Sequence, residues 1–206
     1  MTQDCDCLIV GGGILGLAHA LAAHRAGMRV TVLEREARAV GASIRNFGFI
    51  TVTGQEAGPT WRRARRSRDV WAEIAPRAGI AIHQRGLLLC ARRAEALAVI
   101  EAFAATDMGA ACRVLRGREM ERFAPALRPG LAGALLSPHE IRVESREAIP
   151  QLTAWLAGQG VMFLPRMAVS AVEEGAVVTP AGRFTAKRII VCPGPDLATL
   201  FPEVMA

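Results

Sequence analysis

Three glycines constrain this chain more than any other feature. Leu8-Ile9-Val10 is a short apolar run, and Gly11-Gly12-Gly13-Ile14-Leu15-Gly16 follows it without a break. The run reads as a buried parallel strand. Residues 14–26 are rich in Ala and Leu and read as a helix, with Gly27 as its terminator. Residues 29–33 alternate, carry β-branched side chains and read as a second strand. Strand, turn, helix and strand within about thirty residues make a β-α-β unit. The glycines at 11, 13 and 16 fit G-x-G-x-x-G in the required context, after a strand and opening a helix. Gly11 permits the tight turn, Gly13 lets a pyrophosphate approach the backbone, and Gly16 lets helix and strand pack closely. The free N–H groups of the helix start, at Ile14 and Leu15, and the positive dipole end favour the phosphates.

Glu34 ends the second strand, 23 residues after Gly11. That is close to the spacing expected for an acid that accepts the ribose hydroxyls, and a carboxylate there repels a 2′-phosphate. FAD or NAD is therefore favoured over NADP. Arg35, beside it, either lines the adenine or faces water.

Residues 37–56 are non-periodic and form a long loop, a kind of segment that is usually functional. The loop holds Gly41-Ala42-Ser43-Ile44-Arg45-Asn46-Phe47-Gly48. The run G-G-G-I-x-G, then Glu34-Arg35, then G-A-S-x-x-N-x-G resembles the D-amino-acid, glycine and sarcosine oxidase superfamily of FAD enzymes. The longer string GASIRNFGFITVTGQ resembles a subgroup associated with aminophosphonate oxidation. The resemblance implies FAD as cofactor. It implies that Ala42 and Ser43 contact the phosphates or ribityl chain, and that Asn46, Phe47 and Gly48 lie near the flavin ring. Arg45 then either faces the substrate, or faces solvent or makes a structural ion pair, and Asn46 and Gln55 are further substrate-side candidates. A valine backbone on the first meander strand would hold the adenine edge, with Val169 the nearest match. A buried strand, Arg188–Cys192, ending at Gly194, would supply the second cofactor contact. Pro193 departs from the small or hydroxyl residue more usual there.

Between these motifs the chain makes an excursion with strands of its own. A helix is expected over 57–77, and strands over 80–83 and 86–91 joined by a turn at Gln84-Arg85. A helix over 93–105, a strand over 112–115, a short helix over 116–123 and a strand over 131–136 follow. Ser145 is expected to cap a helix reaching residue 156 or 157. A strand over 161–164 and three short antiparallel strands over 167–173, 176–179 and 183–186 precede the last one. The fold class is α/β: a Rossmann-like parallel sheet with a three-stranded β-meander and part of an inserted mixed α+β domain. Residues 1–56 and 145–206 would form the FAD-binding domain, and 57–144 the partial substrate domain. The resembling family is considerably longer, so the chain reads as an N-terminal portion.

Composition sharpens the class. Apolar residues make up 51% and charged residues 21%, so a folded core is expected. The net charge of +6 comes largely from arginines, with a dense run at Arg62, Arg63, Arg65, Arg66 and Arg68. On a helix these cover most of the circumference, which suits a solvated surface better than a nucleic-acid stripe. Tyr is absent, so no step uses a tyrosine hydroxyl. The five cysteines form no C-x-x-C and share no ligand spacing with the four histidines, so neither a metal nor a disulfide framework is expected. The acidic N-terminus is no signal peptide and no apolar run would span a bilayer, so a cytoplasmic protein without membrane or nucleic-acid partners is expected.

By resemblance, the intact enzyme oxidises a C–N bond of a small amine, amino acid or aminophosphonate by hydride transfer to flavin. The alternatives are a non-catalytic FAD-binding fragment, or a flavin enzyme of another class such as a hydroxylase. A single dinucleotide fingerprint argues for a substrate that donates hydride directly. The oligomeric state leaves no signature in the sequence.

Overall fold

The computed structural model describes residues 5–127 and 130–204. In chain order the elements are β1 (Cys5–Val10), α1 (Ile14–Arg25), β2 (Val30–Leu33), β3 (Phe49–Ile50), α2 (Pro59–Arg77), β4 (Ile82–Ala91) and α3 (Ala94–Ala104). Then come β5 (Arg113–Leu115), α4 (Gly117–Phe123), β6 (Gly133–Val143), α5 (Ser145–Gly158) and β7 (Met162–Leu164). β8 (Ala171–Glu173), β9 (Ala176–Thr179), β10 (Gly182–Val191) and a short α6 (Leu197–Leu200) complete the order. They fall into two units. The first runs to Phe47, takes in Arg77–Ile80 and resumes at Ser145, while the second comprises Gly48–Pro76 and Ala81–Glu144.

The first unit is built on a six-stranded sheet in the order β7-β2-β1-β10-β9-β8. β7, β2, β1 and β10 are parallel, and β10, β9 and β8 form an antiparallel meander. β1 is central, and beyond Asp6 it is apolar because both faces are covered. Leu8 and Val10 pack with Leu33, Val177 and Ile189, and Leu8 and Ile9 are fully buried. α1 and α5 contact one another and bury Leu17, Leu21, Leu152 and Leu156.

One strand replaces two expected ones. Residues 183–186 and 188–192 were separable by their polar residues, yet β10 runs unbroken from meander to parallel sheet. Its first half pairs β9 and its second half pairs β1, so the exposed arginines and Lys187 interrupt no hydrogen-bond ladder. The first meander strand is shorter than expected, and Val169 precedes it. Ser145 is the first residue of α5 rather than its cap. Its hydroxyl donates to Asn46 Oδ1 at 2.7 Å instead of folding back on its own helix.

The second unit is an antiparallel four-stranded sheet. β6 pairs β4 along one edge and both β3 and β5 along the other. Two expectations fail here for one reason. The turn expected at Gln84-Arg85 does not form, because β4 is continuous, and β6 extends seven residues past Leu136 to Val143. The register passes from Arg85↔Ile141 to Leu87↔Ser137, so residues 138–140 bulge opposite Gly86 alone. Gly86 has φ +79°, and a Cβ there would stand 2.7 Å from the Ser137 carbonyl oxygen. The bulge also lets Pro138 sit inside a long strand without having to donate. Glu140, within it, is buried and accepts hydrogen bonds from the amides of Val52 (3.3 Å) and Thr53 (2.6 Å). Burial pushes its carboxyl up, but these hydrogen bonds prevail and hold it below the usual range. Arg62, Arg63, Arg65 and Arg66 on α2 are exposed.

Asp6 links three neighbouring strands of the first sheet. It accepts from the Arg29 amide and Nε at 3.1 and 3.2 Å and from Lys187 Nζ at 2.9 Å. The Arg29 side chain first, then Lys187, holds the Asp6 carboxyl well below the ordinary range. A depressed folded pKa contributes stability that is present above the unfolded value of about 3.9 and is lost as pH falls below it. The gap in thermal midpoint between the natural chain and Asp6→Asn should therefore narrow steadily as pH falls below about 5. Circular dichroism melts along a descending pH series check this, and a gap that stays constant would contradict it.

Candidate site in the first unit

A cavity of about 670 Å³ opens at the carboxyl ends of β1, β2 and β10. This is where ligands bind in open α/β sheets. Its walls come from six separate stretches of sequence: the turn after β1, the end of β2, the 39–46 segment, Met167 with Val169, the 192–196 turn, and Thr199 with Leu200.

The turn after β1 is forced by crowding. Gly11 has φ +102°, and a Cβ there would stand 2.2 Å from the Cys192 carbonyl oxygen. A Cβ on Gly16 would stand 1.8 Å from the Gly11 carbonyl oxygen. α1 therefore presses directly onto the turn, and no larger residue fits at either position. Gly13, with φ −73°, demands no unusual backbone; a Cβ there would meet only the Ser43 hydroxyl, at 2.9 Å.

Two hydrogen bonds tie the remote stretches to this turn. Glu34 Oε2 accepts from the Gly12 amide at 2.8 Å, while its Oε1 accepts from the Glu36 amide at 2.9 Å. Its carboxylate is thereby fixed at the mouth of the cavity. Ser43 Oγ accepts from the Ile14 amide at 2.9 Å, docking the loop on the start of α1. Asn46 braces that loop from within, donating to the Ser43 carbonyl at 2.8 Å. Arg35 reaches across to Asp196 at 2.5 Å, and that carboxylate raises its pKa further.

Of the residues singled out from the sequence, Gly11, Gly13, Ile14, Leu15, Glu34 and Arg35 line the cavity. So do Ala42, Ser43, Asn46, Val169 and Gly194. Gly16 lies behind the wall, in the helix contact just described. Arg45 is exposed, Phe47 is 78% exposed, and neither lines the cavity. Gly48 and Gln55 belong to the second unit, where Gln55 donates to Thr51 Oγ1 at 3.3 Å. Sequence reasoning missed Gly12, whose amide holds Glu34, and Asp196, Met167 and Val40, which carry no motif. Cys192 also lines the cavity, and burial pushes its thiol up, so it stays in the unreactive protonated form. Among the described residues no group of His, Cys, Asp and Glu is placed to hold a metal ion, and no helix is long and apolar enough to cross a membrane.

The two glycines should separate on substitution. Gly16→Ala drives a methyl into backbone and should cost more than about 3 kcal/mol of folding stability. Gly13→Ala displaces one hydroxyl and should cost only about 1 kcal/mol. Urea unfolding of both variants measures the difference, and equal losses would refute the packing role assigned to Gly16.

The FAD dependent oxidoreductase family model matches residues 6–205. Flavin-containing amine oxidase B of Rattus norvegicus is 37% identical over 70 residues, covering 32% of this chain and 14% of that protein. Glycine oxidase from Geobacillus kaustophilus superposes with a TM-score of 0.85 at 23% identity, over 99% of this chain and 59% of its own. L-Amino acid deaminase from Proteus myxofaciens gives 0.85 at 19% identity, over 100% of this chain and 49% of its own. L-Proline dehydrogenase from P.horikoshii gives 0.83 at 18% identity, over 98% and 56%. The structural likenesses are of fold, and the chain spans only part of each relative's length. With its family model matched along nearly the whole chain, the protein belongs to the FAD-dependent oxidoreductase family, and its cofactor is FAD.

Proposed function

We propose that this chain holds FAD in the cavity of its first unit and serves oxidation of a C–N bond in a small amine, amino acid or aminophosphonate. The observation that carries the reading is the convergence of the glycine turn, Glu34 and the Ser43 loop on one cavity, joined by the Gly12–Glu34 and Ile14–Ser43 hydrogen bonds.

In this reading Gly11 shapes the turn and the start of α1 receives the pyrophosphate with the Gly13 and Leu15 amides, since those of Gly11, Gly12 and Ile14 already donate to Leu33, Glu34 and Ser43. Glu34, already oriented by two backbone donors, turns its remaining lone pairs to the ribose hydroxyls. Arg35, pinned by Asp196, flanks the adenine, whose edge meets the Val169 backbone. Ala42, Ser43 and Asn46 line the phosphate and ribityl path, Phe47 and Gly48 follow towards the ring, and Gly194 closes the opposite wall. The first unit is then the FAD-binding domain and the second a part of the substrate domain. Arg45, Asn46 and Gln55 remain the substrate-side candidates. Bound flavin supplies the hydride acceptor; the chain's residues bind, orient and exclude water. A reducing, cytoplasmic setting fits the five cysteines, none of which is joined in a disulfide.

The test is an absorption spectrum of the purified chain, before and after anaerobic addition of glycine, sarcosine or an aminophosphonate. Flavin bands near about 370 and 450 nm that bleach with one of these amines are the expected result. Persistent bands would reduce the reading to an FAD-holding chain without turnover. Absence of bands after FAD is added would overturn it. Glu34→Ala should weaken FAD binding by roughly ten- to a hundredfold, the loss expected for a charged hydrogen-bonding partner.

A further inference from the structure

A second cavity, of about 420 Å³, lies wholly within the second unit. One wall is a single face of α2: Thr60, Arg63, Ser67 and Trp71 follow at steps of three and four residues, which stacks them along the helix. The other wall is the segment after β3, where Thr51 and Gln55 are already joined by a hydrogen bond. The lining contains one formal charge, the Arg63 guanidinium, and no carboxylate. Arg63 has no ion-pair or hydrogen-bond partner among the described residues, and neither do the hydroxyls of Thr60 and Ser67. Arg29, Arg35, Arg113, Arg116 and Arg183, by contrast, each face a carboxylate.

We propose that this pocket binds a small organic oxyanion, a carboxylate or a phosphonate, through Arg63 with Thr60 and Ser67 as supporting donors. A guanidinium presents paired N–H groups that match two oxygens of such a group. The two hydroxyls lie on either side of it on the same helix face, and the Trp71 ring offers apolar contact for the rest of the molecule. Arg62, Arg65 and Arg66 on the same helix add a positive field that favours anion entry without lining the pocket. The pocket shares Gln55 with the substrate-side candidates, but the proposal goes beyond the flavin reading and rests on the lining of the pocket itself.

Trp71 supplies the readout. The chain is titrated with inorganic phosphate, methylphosphonate and acetate at constant ionic strength, following tryptophan emission, with calorimetry as a second measure. Saturable binding of at least one of the three is expected. Phosphate and methylphosphonate alone would select a phosphonate-type ligand, whereas acetate as well would extend it to carboxylates. Arg63→Gln should weaken binding by roughly tenfold or more, and Arg63→Lys should retain part of it. Arg62→Gln, which removes the same charge from a residue outside the pocket, should change it little. No saturable binding of any probe, or equal loss in the Arg62 and Arg63 variants, would overturn the assignment. Flavin absorbance of the same variants should stay at the natural level, which separates failure here from failure of the cofactor reading.

Discussion

The first unit depends on one close approach. Gly16 in α1 lies so near the Gly11 carbonyl that no side chain fits between them, and Gly11 lies equally near the Cys192 carbonyl. Helix, turn and the far end of β10 are thereby stacked backbone on backbone. Their closeness sets the start of α1 against the cavity at the strand ends, where Gly13, Ile14 and Leu15 line its wall. Backbone amides cannot rotate away as side chains do, so an anion site made from them is preorganised. Glu34 adds a second constraint, because its carboxylate is held by two amides and has little freedom left to reorient.

The second unit is organised by a different device. A bulge of residues 138–140 breaks the ladder between β4 and β6 and turns Glu140 inward. There its carboxylate holds the amides of Val52 and Thr53, just beyond β3. A buried carboxylate persists only where hydrogen bonds offset its desolvation, and these do. The same segment carries Thr51 and Gln55, so the bulge fixes one wall of the second cavity. Among the described residues, the arginines of α2 face solvent except Arg68, which suits a helix that carries charge on most of its circumference.

The glycine turn was legible because its chemistry is local. Crowding at Gly11 and Gly16 leaves glycine as the workable residue, and a strand on one side with a helix on the other is enough to recognise the turn. The 41–48 loop was legible only by resemblance. Its Ser43 reaches Ile14 and its Asn46 meets Ser145, contacts across 29 and 99 residues that no spacing rule encodes. The bulge was illegible for the same reason. Gly86 beside two polar residues reads as a turn, and only the pairing of β4 with β6 makes it a bulge. β10 was split in the reading because its middle is polar, although a strand that changes partners needs no change in its own backbone.

What the chain determined by itself is therefore the β-α-β unit, the glycine turn, the acid at Glu34 and the α/β class, all set by neighbours within about thirty residues. The tertiary structure alone decided which distant segments close the cavity. It placed Asp196 against Arg35, turned Gln55 towards Thr51 in the second unit, and set Arg63 in a cavity whose lining holds no acid. The physical reason is range: steric and dihedral limits act between near neighbours, whereas charge pairing and cavity shape depend on which remote surfaces the fold brings together.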